Sequence, residues 1–310
     1  MITSKLTNTG FVALTAFFCC LLWGSAFAGV KTGYAEMGIT ANDWASQMVF
    51  AGVRFLIAGL MALAAGSVTE KKLLIPERKS IPRIGVISLF QTILQYFFYY
   101  IGLAHTTGVK AAIIVAANVF AAILISSAFG QEKLTVRKIV GCILGFSGIV
   151  LVNLTGLDFH LNVLGDGFIL LCTIASGFSS VFMKKYTGKE CHENPVLLSG
   201  WQFAFGGAVM WLIGAVAGGH MHLTGRAWMI LLYLAFVSAA AYSLWAVLLK
   251  YNPVSKVAVF GFLNPLCGVM ISSMVLHETG IFNLQGMTAL LLVCSGIFTV
   301  NFEKKVRETA

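Results

Sequence analysis

A single arginine, Arg54, sits near the middle of an apolar run covering residues 43–66, while Glu132, Asp166 and Glu278 fall at the ends of such runs and no acid lies deep in one. About eleven residues separate Arg54 from either end of its run, or ~16 Å of helix at 1.5 Å per residue. That is too far for the side chain to reach water by stretching along the helix. An arginine at the centre of a membrane helix costs ~2.5–3.5 kcal/mol on insertion scales, so something must hold the guanidinium. Two readings stay open: it clamps carbonyls or hydroxyls of a neighbouring helix, or it meets an anionic group of a ligand. The absence of a deep carboxylate removes the usual means of binding an organic cation and a proton in turn. A cavity around Arg54 would favour anionic or zwitterionic solutes, unless it is nearly neutral and Arg54 is scaffold.

The remaining polar residues come in stripes. Gln91, Gln95 and Tyr99 follow one another at i, i+4, on one side of an otherwise apolar helix. The repeat partner of that helix offers Ser238, Tyr242 and Trp245, with Tyr96 falling over Tyr242 and Tyr99 over Trp245 at an offset of 146 positions. Such stripes line a water-filled path or cross-link helices by hydrogen bonds worth ~0.6 kcal/mol on average. Two aligned stripes facing one axis favour the path. Asn118 and Asn264 share that offset, each a lone amide near the midpoint of its run, and Pro265 follows the second. A kinked gate and simple inter-helix glue both fit them. Trp23-Gly24-Ser25 and Ser176-Gly177 with Ser179-Ser180 read as small surfaces for close helix packing, and Trp23 is also a candidate to face a ligand.

The elements that must position these residues are apolar runs long enough to span a bilayer. There are ten: 11–30, 43–66, 83–103, 107–129, 134–154, 165–186, 195–217, 226–249, 252–276 and 283–302. The composition agrees, with 58% hydrophobic and 11% charged residues where a soluble domain has about 25% charged. At the 146 offset Lys110 lands on Lys256, Ser126-Ser127 on Ser272-Ser273, and Glu132 on Glu278; at 148, Arg54-Phe55 lands on Gln202-Phe203 and Val152-Asn153 on Val300-Asn301. The sequence therefore predicts an all-α integral membrane protein of ten transmembrane helices, built as two five-helix repeats, 1–156 and 157–310. An odd number of helices per repeat inverts the second against the first.

Of 21 Lys and Arg residues, 17 fall on one side if the N-terminus is cytoplasmic, leaving Lys31, Lys110 and Arg226 outside and Arg54 within. That bias predicts cytoplasmic termini in a cell (inner) membrane. It also accounts for the net charge of +9 without a nucleic-acid partner. Six of the seven cysteines lie in apolar runs, and His220-Met221-His222 is one loop motif. No disulfide framework, metal site or cofactor is expected. Glu132 and Glu278, just before their helices, read as loop-locking residues.

Trp23-Gly24-Ser25-Ala26-Phe27, Arg54-Phe55 with Ala58, and Glu132 followed by Gly141, Gly145 and Gly148 resemble the EamA-type branch of the drug/metabolite transporter superfamily. The resemblance covers essentially the whole chain, including Glu278 and Gly296. It implies a central cavity among helices 1, 3, 4, 6, 8 and 9, with helices 5 and 10 at the periphery, and export of amino acids or related metabolites. Gln202 and Ser176-Gly177 depart from the symmetric pattern. The expectation is a secondary transporter and no enzyme, its small-molecule substrate met by Trp23, Arg54, Gln91, Gln95, Tyr99, Asn118, Tyr242, Trp245 and Asn264. A multidrug or organic-cation exporter and a passive channel are the alternatives.

Overall fold

The computed structural model describes residues 6–40, 42–106, 114–152, 162–276 and 284–301, all of them helix or short connection. Helix α1, Thr9–Met37, starts where the Asn8 side chain accepts from the amides of Gly10 and Phe11, satisfying donors that a helix start leaves open. It ends at Gly38, whose left-handed φ of 71° a residue without Cβ adopts at no steric cost. It therefore runs past the expected 11–30, and Lys31, assigned by sequence to the outer side, belongs to the helix. Helix α2, Trp44–Glu70, is capped by Asp43. Helix α3 is composite: an α segment Ile81–Ile87, a π-helical segment Ser88–Leu94 and an α segment Gln95–His105.

Helix α4 is described over Ile114–Ala128, with a turn at Ala117 that interrupts it just before Asn118, so that Asn118–Ala128 is its regular part. Then come α5, Val136–Val152, α6, Val163–Thr187, and α7, Pro195–Val216; the last two are capped by Asn162 and Asn194. Helix α8, Gly225–Tyr251, is unbroken. Helix α9 has three parts, Val254–Ala258, a 3-10 turn Val259–Phe262, and Leu263–Leu276. Pro265 lies in the first turn of that last part, which continues directly from the 3-10 turn, so its missing N–H leaves one carbonyl of the preceding turn without a helical donor. Helix α10 is Leu284–Asn301. Among the described residues six helices are long and apolar enough to cross a membrane, and further apolar helices are shorter. Thr107-Gly108, Lys110, Asn153, Glu278 and the terminal basic residues lie outside the described residues.

Helices pair at close range through small residues, as membrane helices do when packing must replace a hydrophobic driving force. Helix α2 packs along α7: a Cβ on Gly59 would fall 2.5 Å from the Ala204 nitrogen, and one on Gly207 would fall 2.5 Å from that of Leu56. Gly141 and Gly296 bring α5 and α10 together in the same way. Helix α1 packs on α8 and α9, while α6 packs on α3 and α4. The largest buried apolar cluster, including Val12, Ile87, Ile123, Met183, Leu248 and Val257, fills the end of the bundle where α1 begins and α8 ends.

Candidate functional site

A cavity of about 380 Å³ lies among α1, α2, α3, α4, α6, α8 and α9. Helices α5, α7 and α10 contribute nothing to its wall. All nine residues singled out in the sequence border it: Trp23 from α1, Arg54 from α2, Gln91, Gln95 and Tyr99 from α3, Asn118 from α4, Tyr242 and Trp245 from α8, and Asn264 from α9. The expected wall thus gains one helix, α2, because Arg54 and Gln47 reach it.

Arg54 is 4% exposed. Its Nε donates to the Leu234 carbonyl at 3.3 Å and its Nη2 to Ser238 Oγ at 2.9 Å. The clamp on a neighbouring helix is therefore real. Tyr100 is a further side-chain partner of the guanidinium, which has five N–H donors in all, and the group still borders the cavity. Tyr34, Tyr96, Tyr99, Tyr100 and Tyr242 all lie within electrostatic reach of its charge. Among the described residues of the wall Arg54 is the one formal charge. Trp23 meets Tyr242 and Trp245 edge-on, each with ring centroids 5.0 Å apart. Tyr96 and Tyr242 share a hydroxyl–hydroxyl hydrogen bond of 2.8 Å.

Several wall groups have polar atoms that protein does not satisfy: Trp23 Nε1, Gln91 Oε1, Gln95 Oε1 and Asn264 Oδ1 are buried without a hydrogen-bond partner among the described residues. A buried polar atom left without a partner costs free energy. These atoms are suited to orienting a bound polar molecule or water.

The sequence model of the EamA-like transporter family matches residues 10–154 and again residues 163–302. The chain belongs to that family. It is 28% identical over 302 residues to the uncharacterized transporter YvbV of Bacillus subtilis, covering 96% of this chain and 94% of the relative. It is 24% identical over 318 residues to a protein of Salmonella typhimurium named a probable amino-acid metabolite efflux pump, covering 97% of each. A solved crystal structure superposes with a TM-score of 0.77 over 94% of this chain and 96% of the other, at 16% identity, and so shares the fold. Family and relatives indicate a multi-pass membrane transporter rather than an enzyme.

Within this EamA-like transporter the small residues of α6 depart from the expected role. Ser176, Ser179 and Ser180 line the cavity, while Gly177 alone packs tightly, against Ala121 of α4. Gly24 does pack as expected, on the backbone of Cys267 and Gly268. Sequence reasoning missed Tyr34, Gln47 and Tyr100 on the wall. The helical phase of Tyr34, four residues short of the Gly38 stop, could have found it. His220 and His222 meet edge-to-face with ring centroids 5.9 Å apart, with no third metal-ligating side chain beside them among the described residues.

Proposed function

We propose that this EamA-like transporter is a secondary transporter that exports small polar metabolites such as amino acids, by alternating access through the central cavity. One observation carries the substrate class: the wall holds Arg54 as its one formal charge and no carboxylate among the described residues. A guanidinium with donors to spare recognises a carboxylate through charge-assisted hydrogen bonds. The unpartnered amides of Gln91, Gln95 and Asn264 offer acceptors to the ammonium of a zwitterion.

In this reading the chain forms ten transmembrane helices as two inverted repeats, 1–156 and 157–310, with both termini in the cytoplasm of a cell whose inner membrane holds the protein. The double family match supports the division. So does the helix pairing: α1 on α8 and α9 is matched by α6 on α3 and α4, while α2 meets its counterpart α7 and α5 meets α10. The cavity reaches Tyr34, Gln47 and Leu103 toward the outer side, and the large apolar cluster backs it toward the cytoplasm. Export by alternating access then requires that cluster to part.

The test is thermal stabilisation of the purified protein by a panel of amino acids, organic acids, nucleosides and lipophilic cations, since a ligand that binds only the folded state raises Tm. A shift with zwitterions or acids, lost in Arg54→Gln, supports the reading. A shift with lipophilic cations alone overturns it, and the aromatic wall would then favour drug export through cation–π contacts. Saturable counterflow in vesicles separates a carrier from a passive channel.

A further inference from the structure

The π-helical segment Ser88–Leu94 is held from outside by one residue of α7. Thr92 Oγ1 donates to Gln202 Oε1 at 2.5 Å, and Ser88 Oγ is shared between the Ile84 carbonyl at 2.8 Å and the Gln202 carbonyl at 3.1 Å. Ser88, Thr92 and Gln202 are each fully buried at 0% exposed. Gly206 makes the approach possible, because a Cβ there would fall 2.7 Å from that of Thr92. Neither Thr92 nor Gln202 borders the cavity.

The matching place in α8 is built differently. Leu234 and Ser238 stand 146 positions after Ser88 and Thr92, and Gln202 stands 148 after Arg54. There the longer Arg54 spans both positions with its side chain, and α8 stays α-helical throughout. The exchange of Arg for Gln between these two places thus coincides with the presence of a π segment in α3 and its absence from α8.

A π turn takes up one residue more than an α turn, which rotates everything beyond it by about 100° relative to an uninterrupted helix. In α3 the segment contains Gln91, while Gln95 and Tyr99 follow it, and all three border the cavity. In a regular α-helix Gln91, Gln95 and Tyr99 would still share a face, so returning Ser88–Leu94 to α geometry would swing that face as a whole relative to Ile81–Ile87, whose Ile84 and Ile87 are buried in the core. We propose that Gln202 is a positioning residue for the cavity: by holding Thr92 it keeps Ser88–Leu94 in π form and so aims the shared face of Gln91, Gln95 and Tyr99 at the cavity while Ile84 and Ile87 stay packed. The proposal rests on the cavity being the substrate site, and it adds a residue that acts on specificity without touching substrate.

The test reads helix register directly. In a Gln91→Cys background, alkylation by N-ethylmaleimide is followed by mass spectrometry as the ratio of labelling at position 91 to labelling at Cys191, a native, half-buried cysteine in the connection between α6 and α7 and away from the cavity. Thr92→Val and Gln202→Leu, which remove the hydrogen bond with little change of volume, should each lower the ratio about fivefold, the factor matching one net hydrogen bond. Thr92→Ser keeps the hydroxyl and should restore it. An unchanged ratio overturns the proposal, and so does a lower Tm with an unchanged ratio, since that would be scaffolding alone. Should both variants fail to fold, Ser88→Ala, which removes the hold on the Gln202 carbonyl together with the local bond to the Ile84 carbonyl, is read by the same ratio with the same two outcomes. The ratio does not depend on transport, so failure to find a zwitterionic substrate would sink the functional reading separately.

Discussion

The hydroxyls of Tyr96 and Tyr242 meet in one hydrogen bond of 2.8 Å, and the two residues stand 146 positions apart in the chain, at the same place in α3 and in α8. Corresponding residues of two related halves can touch one another only near the axis that relates them. The cavity is walled around this pair: Arg54 lies within electrostatic reach of both tyrosines, and Trp23 packs edge-on against Tyr242. In the two-repeat reading proposed above, a contact at the axis is one that both halves share and would couple their movements.

Removing either hydroxyl should therefore be felt through the other. Tyr96→Phe and Tyr242→Phe should each lower Tm, and the double variant should be no worse than the poorer single one. A double-mutant cycle should give a coupling of about 0.5–1.5 kcal/mol. Additive effects would mean that the two hydroxyls are satisfied independently.

Much of this site was legible because polar groups in apolar runs are costly and few, so Arg54, Gln91, Gln95, Asn118 and Asn264 stood out by type alone. The offset of 146 further tied Tyr96 to Tyr242 before any contact was known. What was not legible depended on helix geometry beyond a regular 3.6-residue period. The π segment shifts the phase within α3, so a stripe drawn at i, i+4 could not show that Tyr96 and Tyr100 also reach the wall. Serines on α6 carry no signal that separates cavity lining from close packing, and both occur within five residues, Ser176–Ser180. The link of Thr92 to Gln202 spans 110 positions and needed the fold.

Arg54 should tolerate no conservative exchange. Its guanidinium forks between the Leu234 carbonyl and Ser238 Oγ while bordering the cavity, and the ammonium of lysine is a point charge that cannot reproduce a fork. Arg54→Lys should lower ligand affinity about tenfold or more, equivalent to a loss of at least about 1.4 kcal/mol, measured by the concentration dependence of ligand-induced Tm shifts. Full affinity in Arg54→Lys would show that charge alone matters.

The glycines between α2 and α7 give a paired control. A methyl on Gly207 would meet the Leu56 nitrogen and the Gly52 carbonyl, whereas one on Gly85 would meet nothing within 4 Å. Gly207→Ala should force the helices apart and lower Tm clearly, by a cost in the overpacking range of about 1–3 kcal/mol. Gly85→Ala should be neutral or stabilising by up to about 1 kcal/mol through helix propensity. Equal effects at both sites would contradict the close approach of α2 and α7.

Glu132 supplies the pH dependence. It lies outside the membrane-spanning segments, where it accepts from Ser126 Oγ at 3.0 Å, from the Ser255 amide at 2.8 Å and from Ser255 Oγ, and pairs with Lys138 Nζ at 2.5 Å. Lys184 adds a more distant positive charge. Burial pushes the carboxyl upward, yet the hydrogen bonds from Lys138 and Ser255 outweigh it and hold Glu132 below its usual value of 4.5. A depressed carboxylate contributes stability that is complete above the unfolded value and is lost as pH falls through the folded one. Tm should therefore carry no Glu132 contribution to its slope above about pH 5 and should fall on acidification below about pH 4.5. Glu132→Gln should lower Tm at neutral pH, since Lys138, only 15% exposed, loses its counter-charge at a cost of about 3 kcal/mol, and should flatten the acid limb. The bond joins α9 to the segment before α5, at the end that, in the proposed alternating-access reading, parts for cytoplasmic access. Weakening it should thus also raise labelling of cytoplasmic-side cysteines in vesicles. An acid limb of the same steepness in wild type and Glu132→Gln would assign the effect to another carboxylate.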